Sequence, residues 1–463
     1  MNTDIHTLLS KTPLAEAVWL LWHKALPDET LNACFTAHRQ RGYQRALSFA
    51  QLVRLTSDAL SQHNGSGRQT LLQHAGTDLL PVSEPAFYGK LRRLPITLSE
   101  AFLADGVTHL RPWLPARPTV EPPASLRAFR ILLFDGKTFK HAAKRLKPVR
   151  TRAGRGLGGR ALVAMELTTG LLVGMAADPD AHINEAKLVP RLLPLVRQRL
   201  AGPRLWVADR QFGDMAQVRR CTAEGDHCVL RLHKKSRFVP DPTQPVRRGV
   251  DAKGRAWTDE VGTLKSSRHG ALRMRRITLH RGSLPAIVLV TDLLDADAYP
   301  ATDLLDLYKQ RWGIEQVFQQ VSEVFHLRRL IGSSPQAIIF QGALCMMLYN
   351  LLLIVRALVA DTQERAVATI SSYTLCYDLR RALITLHFLV PPDELLAALR
   401  HRAATITDVA GHLRAILKQA WTDRWLKSRP KKCHRSPAKH QRGTGGHFSI
   451  HRVLLESQRA KDV

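Results

Sequence analysis

The chain has 463 residues, 45% apolar and 23% charged, values ordinary for a folded soluble protein long enough for two or three domains and a sizeable core. Against 39 Asp and Glu it carries 68 Lys and Arg, a formal charge of +29. Such an excess sets aside a protein with a neutral surface and calls for a polyanionic partner, nucleic acid first and an anionic membrane second.

Met1 to Thr12 contains Asp4 and His6 and lacks the basic-then-apolar order of a leader, so the expectation is a cytoplasmic protein. Residues 1–124 read as a helical N-terminal domain. Apolar residues recur at three and four spacing through Leu14–Leu26 and Ala46–Leu60. Val82–Leu94 predicts a short helix with Ser83 as N-cap, Pro85 in the first turn and Lys90, Arg92 and Arg93 at its end. Those three cations fit a DNA-contacting helix and equally the ordinary preference of a helix C-terminus. Five prolines between Arg111 and Pro123 then stop any regular element.

From 125 to 233 the pattern turns to strands. Phe129–Phe134 ends in Asp135; Ala161–Leu167 and Leu171–Ala177 form a hairpin across Thr168, Thr169 and Gly170. A helix over Asn184–Leu200 precedes the strand Arg204–Ala208, which ends in Asp209; a helix over Gly213–Glu224 and a strand over Cys228–Leu232 follow. Strand, hairpin, helix, strand, helix, strand is the order of a ribonuclease H-like α/β core. Residues 234–300 read as a β-rich insertion, and 301–360 complete the core.

That last part holds Leu304–Gly332, read as one helix. At about 100° per residue, Tyr308, Arg311 and Glu315 share one face, while Ile314, Val317, Phe318, Val321, Val324 and Phe325 share another. Ala337–Val355 has no charge and approaches the length of a membrane span. Gln341 and Asn350 interrupt it and no second span exists, so a buried core helix is the expectation. Residues 361–463 are helical at first; from Asp423 on, eleven Lys and Arg against three acids predict a poorly ordered basic tail.

Asp135 and Asp209, each at the carboxyl end of a buried strand, converge if the two strands are neighbours, and a Glu on a packed helix completes a three-carboxylate cluster able to hold two divalent ions. Between them, Gly136–Arg160 contains nine Lys and Arg and no acid, a DNA-backbone loop or a solvated one. The six cysteines lack CxxC pairs and read as free thiols. Zinc readings stay open for Cys221, His227, Cys228 and His233, and for Cys433 with His434, His440, His447 and His451.

FDGKTF around Asp135, VADRQFGD around Asp209 and YKQRWGIEQVF around Glu315 resemble the three acidic motifs of bacterial insertion-sequence transposases of the DDE class. The third resembles the subgroup marked by Tyr, two residues, Arg, three residues, Glu, six residues, Lys. Tyr308, Arg311 and Glu315 keep that spacing; Ser322 stands where the lysine is expected. The resemblance implies a metal-dependent DNA phosphoryl transferase, with Asp135, Asp209 and Glu315 as catalytic ligands of two Mg²⁺, Mn²⁺ being able to substitute. It implies Arg311 and Tyr308 on DNA phosphates, with Lys137, Lys140, Arg328, Arg329, Lys90, Arg92 and Arg93 as further candidate contacts and Trp257 as a candidate base-stacking ring. The expected partners are double-stranded DNA, at terminal repeats and target, and a second copy in a homodimeric synaptic complex, with no membrane. The protein would associate with the nucleoid when bound to DNA. A decayed transposase that only binds DNA, or a nuclease that joins nothing, stays open.

Overall fold

The computed structural model describes residues 5–40, 46–140, 142–325, 327, 330–390, 392–427 and 446–460. Seven helices open the chain: α1 (Ile5–Ser10), α2 (Pro13–Ala25), α3 (Asp28–His38), α4 (Phe49–Ser61), α5 (Gly67–Gln73), α6 (Glu84–Arg92) and α7 (Ile96–Leu110). Helix α4 starts on a capping box, Ser48 with Gln51, as its sequence pattern favours. Ser83 does occupy the N-cap of α6, but its side chain makes no capping bond.

Strand β1 (Arg130–Thr138) is followed by the short β2 (Arg155–Leu157), then β3 (Arg160–Glu166) and β4 (Leu172–Asp178), α8 (Val189–Arg197), β5 (Arg204–Ala208), α9 (Met215–Cys221) and β6 (His227–Arg231). Asp214 caps α9 by accepting from the Gln217 N–H, and Asn184 caps the 3₁₀ turn that leads into α8. Strands β7 (Arg237–Pro240), β8 (Arg247–Val250), β9 (Ala256–Ser266), β10 (Gly270–Arg281) and β11 (Leu284–Thr291) come next. They extend the same sheet, because β11 pairs antiparallel with β6. The sheet order is β4-β3-β1-β5-β6-β11-β10-β9-β7, with β8 beside β9.

Its first five strands define the fold. Strand β1 lies antiparallel to β3 and parallel to β5, β3 is antiparallel to β4, and β6 is parallel to β5. An antiparallel meander of three strands followed by two parallel ones, reached through α8 and α9, is the ribonuclease H-like arrangement.

The expected single helix over Leu304–Gly332 is two: α10 (Ala301–Gln310) and α11 (Trp312–Val324). They meet at Arg311, where hydrogen bonding tightens to i→i−3 on both sides. The expected apolar face is buried throughout, Ile314, Val317, Phe318, Val321, Val324 and Phe325 included. Helix α12 (Pro335–Thr362) is long and apolar enough to span a membrane by length and composition, yet 94% of its most apolar window is buried inside the protein. Both polar interruptions are satisfied there: Gln341 Oε1 accepts from Ile331 N, and Asn350 exchanges two hydrogen bonds with the Leu172 backbone of the edge strand β4.

Helices α13 (Ser372–Leu389), α14 (Pro392–Thr405) and α15 (Val409–Gln419) follow. The tail departs from expectation. Although residues 428–445 lie outside the described ones, β12 (His447–Ser449) pairs in parallel with β2, and α16 (Ile450–Arg459) buries Ile450 and Val453. Apolar anchors at a helical spacing let a basic segment dock where net charge alone predicts disorder.

Candidate active site

Strands β1 and β5 run parallel in register from Arg130↔Arg204 to Phe134↔Ala208. The next residue on each strand is Asp135 and Asp209. In-register side chains on neighbouring parallel strands point to the same side, about 4.8 Å apart along the hydrogen-bonding direction. Contrary to expectation, Asp135 lies inside its strand and not beyond it, since β1 continues against β3 to Thr138. It is the parallel pairing that ends at Phe134.

Helix α11 packs across β1 and brings Glu315 to this edge. Arg311, at the junction of α10 and α11, is forked between two of the carboxylates: its Nη1 stands 3.4 Å from Asp135 Oδ2 and its Nη2 2.9 Å from Glu315 Oε1. One turn back, the Tyr308 hydroxyl donates to Asp209 Oδ1 at 3.1 Å. The face predicted for Tyr308, Arg311 and Glu315 therefore meets both aspartates, and the tightened turn at Arg311 leaves it intact.

The electrostatics are those of an acid-rich site short of counter-charge. Burial pushes the Asp135 carboxyl up to about 6, against the Gly136 N–H and Arg311, with Glu315 and Glu185 adding repulsion. Tyr308 is pushed up to about 12 by burial and by Asp209. Burial works against the Arg311 charge, yet Tyr308, Asp209 and Asp135 outweigh it and hold its pKa above the ordinary arginine value. The Arg311 side chain is 8% exposed and that of Asp209 40%, so the cation is the floor of the site and Asp209 its open rim.

Several neighbours escaped the sequence reading. Glu185 sits directly over Gly136, where any Cβ would run into its carboxylate, and Arg231 of β6 approaches Asp209 to 3.8 Å. Strand register could have pointed to Arg231, one residue past the β5–β6 pair Ala208↔Leu230; nothing local marks Glu185. Lys137, two residues along β1 from Asp135, sends its ammonium to Ser322 Oγ on α11, 2.9 Å away. Trp312, next to Arg311, is 57% exposed.

Other candidates fall elsewhere. Lys90 turns inward, donates to the Leu47 carbonyl and lies over the Phe35 ring, so it does not share a surface with the exposed Arg92 and Arg93. A long aliphatic stem buries easily while its ammonium finds a carbonyl. Trp257 packs against Gly249 of the adjacent β8 and lies four strands from β5, roughly 19 Å across the sheet. Lys140 is exposed just past the end of β1; Arg328 and Arg329 lie outside the described residues.

Among the described residues no three His, Cys, Asp or Glu side chains stand close enough to share an ion as they are. Arg311 lies between them. The donor set still fits a hard divalent cation: carboxylate oxygens only, no soft ligand, and an acid driven up for want of positive charge. Neither zinc grouping gains support: Cys221 and Cys228 are buried, with thiols pushed far up by burial, and Cys433, His434 and His440 lie outside the described residues.

A ribonuclease H-like sheet with two strand-borne aspartates and a helix-borne glutamate around one arginine defines a class of nucleic-acid phosphoryl-transfer folds. Residues 127–351 match the family model of the transposase DDE domain, a match that supports a transposase of the DDE class. No curated protein sequence matches significantly. Among solved structures the chain is similar to a piggyBac transposase, determined by cryo-EM as a synaptic complex with hairpin DNA. The identity is 11% and the TM-score 0.40, covering 92% of this chain and 88% of that one.

Proposed function

We propose that the protein is the transposase of a bacterial insertion sequence, of the subgroup with the Tyr-Arg-Glu signature. It cuts DNA at the element's ends and joins the freed 3′-hydroxyls to target DNA. The observation that carries this reading is the convergence of Asp135, Asp209 and Glu315 on Tyr308 and Arg311 at the end of the β1–β5 parallel pair.

Asp135, Asp209 and Glu315 are the residues that would hold Mg²⁺, two ions in this proposal, with Mn²⁺ able to substitute. When bound, such ions activate an attacking oxygen and stabilise a leaving one. Arg311 spans two carboxylates with the same planar fork that recognises a phosphate. An incoming phosphodiester exchanges one anionic partner for another, and the fork then fixes the backbone at the cut. Tyr308 holds Asp209 in orientation through its hydroxyl. Lys137 supplies a second cation from the strand side, and Lys140 with the following basic loop continues the track along the DNA backbone. Joining two ends calls for two such sites, hence a homodimer in the synaptic complex.

The test uses the full chain, a divalent cation and DNA carrying the inverted repeats that flank its gene. Cleavage at both ends followed by joining is expected, and Asp135→Asn, Asp209→Asn or Glu315→Gln should each abolish cleavage with DNA binding retained. Cleavage without joining would identify a nuclease; binding without either reaction would identify a protein that has lost the chemistry.

A further inference from the structure

Away from the carboxylates, a cavity of about 600 Å³ opens between the N-terminal helices and the basic loop. Three arginines from three separate segments line it: Arg68 in α5, Arg92 at the end of α6 and Arg145 in the loop that follows β1. All three are exposed, and none forms an ion pair or donates a side-chain hydrogen bond within the protein. Most arginines elsewhere in this chain are held by acids, as Arg54 is by Asp28 and Arg199 by Asp105. Glu84 is the single acid in the lining, which leaves the cleft with an excess of two positive charges. Tyr88 and Ser334 form its polar walls.

Unpaired guanidinium groups around a concave, solvent-filled surface repel one another, and no internal partner offsets that cost. A ligand with anionic oxygens at repeated spacing offsets it. Resting on the DNA reading above, we infer that this cleft between α5, α6 and the 139–159 loop binds the phosphate backbone of duplex DNA through Arg68, Arg92 and Arg145. The loop ties the cleft to the candidate active site: it leaves β1 at Thr138, three residues past Asp135, and contributes Arg145 and Leu146 to the lining. DNA seated here is held by the same segment that begins at the carboxylates, so the N-terminal helices and the core grip one duplex together.

The experiment measures affinity of the full chain for an arbitrary duplex of about 30 base pairs, without divalent ions, between about 50 and 200 mM salt. Arg68→Ala/Arg92→Ala/Arg145→Ala should lower the slope of log K against log salt by about 2.7, or about 0.9 per lost phosphate contact. Glu84→Gln should tighten binding. A control that removes the same charge from exposed, unpaired sites elsewhere, Lys24→Ala/Lys418→Ala/Arg459→Ala, should keep the wild-type slope. A triple-arginine variant with the wild-type slope, or a control that loses as much, overturns the cleft. The transposase reading fails on a different result, a wild-type chain that binds duplex but never cuts element ends, and that result leaves the cleft measurement standing.

Discussion

The Lys137 ammonium on β1 is hydrogen-bonded to the Ser322 hydroxyl on α11 at 2.9 Å and lies 3.3 Å from the Phe318 carbonyl. Ser322 itself donates to Phe318 O, so its oxygen is turned to accept from Lys137. No acid pairs with this ammonium among the described residues, and burial holds its pKa down to about 8. A cation therefore stands where the helix lacks its signature lysine, delivered from the neighbouring strand. Lys137→Ser should slow end cleavage by roughly tenfold to a hundredfold, the worth of a charged hydrogen bond. Moving the charge to the helix, Lys137→Ser/Ser322→Lys, should recover most of it. Rate assays with pre-bound DNA decide; a double variant no faster than Lys137→Ser removes the equivalence.

Asp135 makes the folded protein less stable as pH rises. Its carboxyl titrates near 6 in the folded chain against 3.8 in the unfolded one, so the folded state binds the extra proton between these values. The neutral acid is fully tolerated below pH 3.8, and stability is lost as pH climbs through 6. Asp135→Asn should consequently raise stability at pH 7.5, by on the order of 2 kcal/mol, and change little near pH 4. Denaturant unfolding at both pH values checks it, and a variant no more stable at pH 7.5 contradicts the buried, under-compensated carboxylate.

The same shortage of positive charge predicts an effect of divalent ions that needs no DNA. Mg²⁺ or Mn²⁺ at a hundredfold over its dissociation constant should stabilise the wild-type chain by about 2.7 kcal/mol. Asp135→Asn/Glu315→Gln should abolish the gain. Thermal melts with and without the ion suffice, and an equal Tm gain in the double variant would place the ion elsewhere.

How much of this was legible in sequence follows from range. The apolar strands ending near Asp135 and Asp209, and the helix face bearing Tyr308, Arg311 and Glu315, are local patterns with a fixed period, and they appear in the structure nearly residue for residue. The Lys137–Ser322 contact and the place of Glu185 over Gly136 join segments far apart in the chain, and no periodicity announces them. Lys90 misled for a physical reason: the position favoured by the helix dipole looked outward in sequence, while the fold offered its ammonium the Leu47 carbonyl and a ring. The docked α16 was hidden because its composition is that of a tail and only Ile450 and Val453 carry the packing.

Asn350 gives a test of the buried helix. It is fully buried in α12 and satisfies both the N–H and the C=O of Leu172 at 2.9 Å. Asn350→Leu keeps the helix apolar but strands two backbone groups on the edge strand, at a cost of roughly 2–5 kcal/mol. The urea midpoint should fall with the slope unchanged. An unaltered midpoint would mean that water or a shifted strand replaces the amide.

The C-terminal segment should act on the basic loop rather than as a free tail. Arg152 pairs with Glu456 at 2.7 Å, Arg452 with Asp180 at 2.8 Å, Ser449 Oγ accepts from Ala181 N, and Ile450 fills the space over Gly156. Exposed ion pairs contribute little each, but the short β2–β12 ladder and two buried apolar anchors fix their geometry. Ending the chain after Lys427 should leave the loop without this frame, so trypsin should cut at Arg150, Arg152 or Arg155 several times faster. DNA affinity should fall and its salt dependence flatten, because contacts that were pre-ordered must then be ordered on binding. Limited proteolysis and salt titration of the truncated chain provide both readings; unchanged cleavage at these arginines would show that the loop holds its shape without α16.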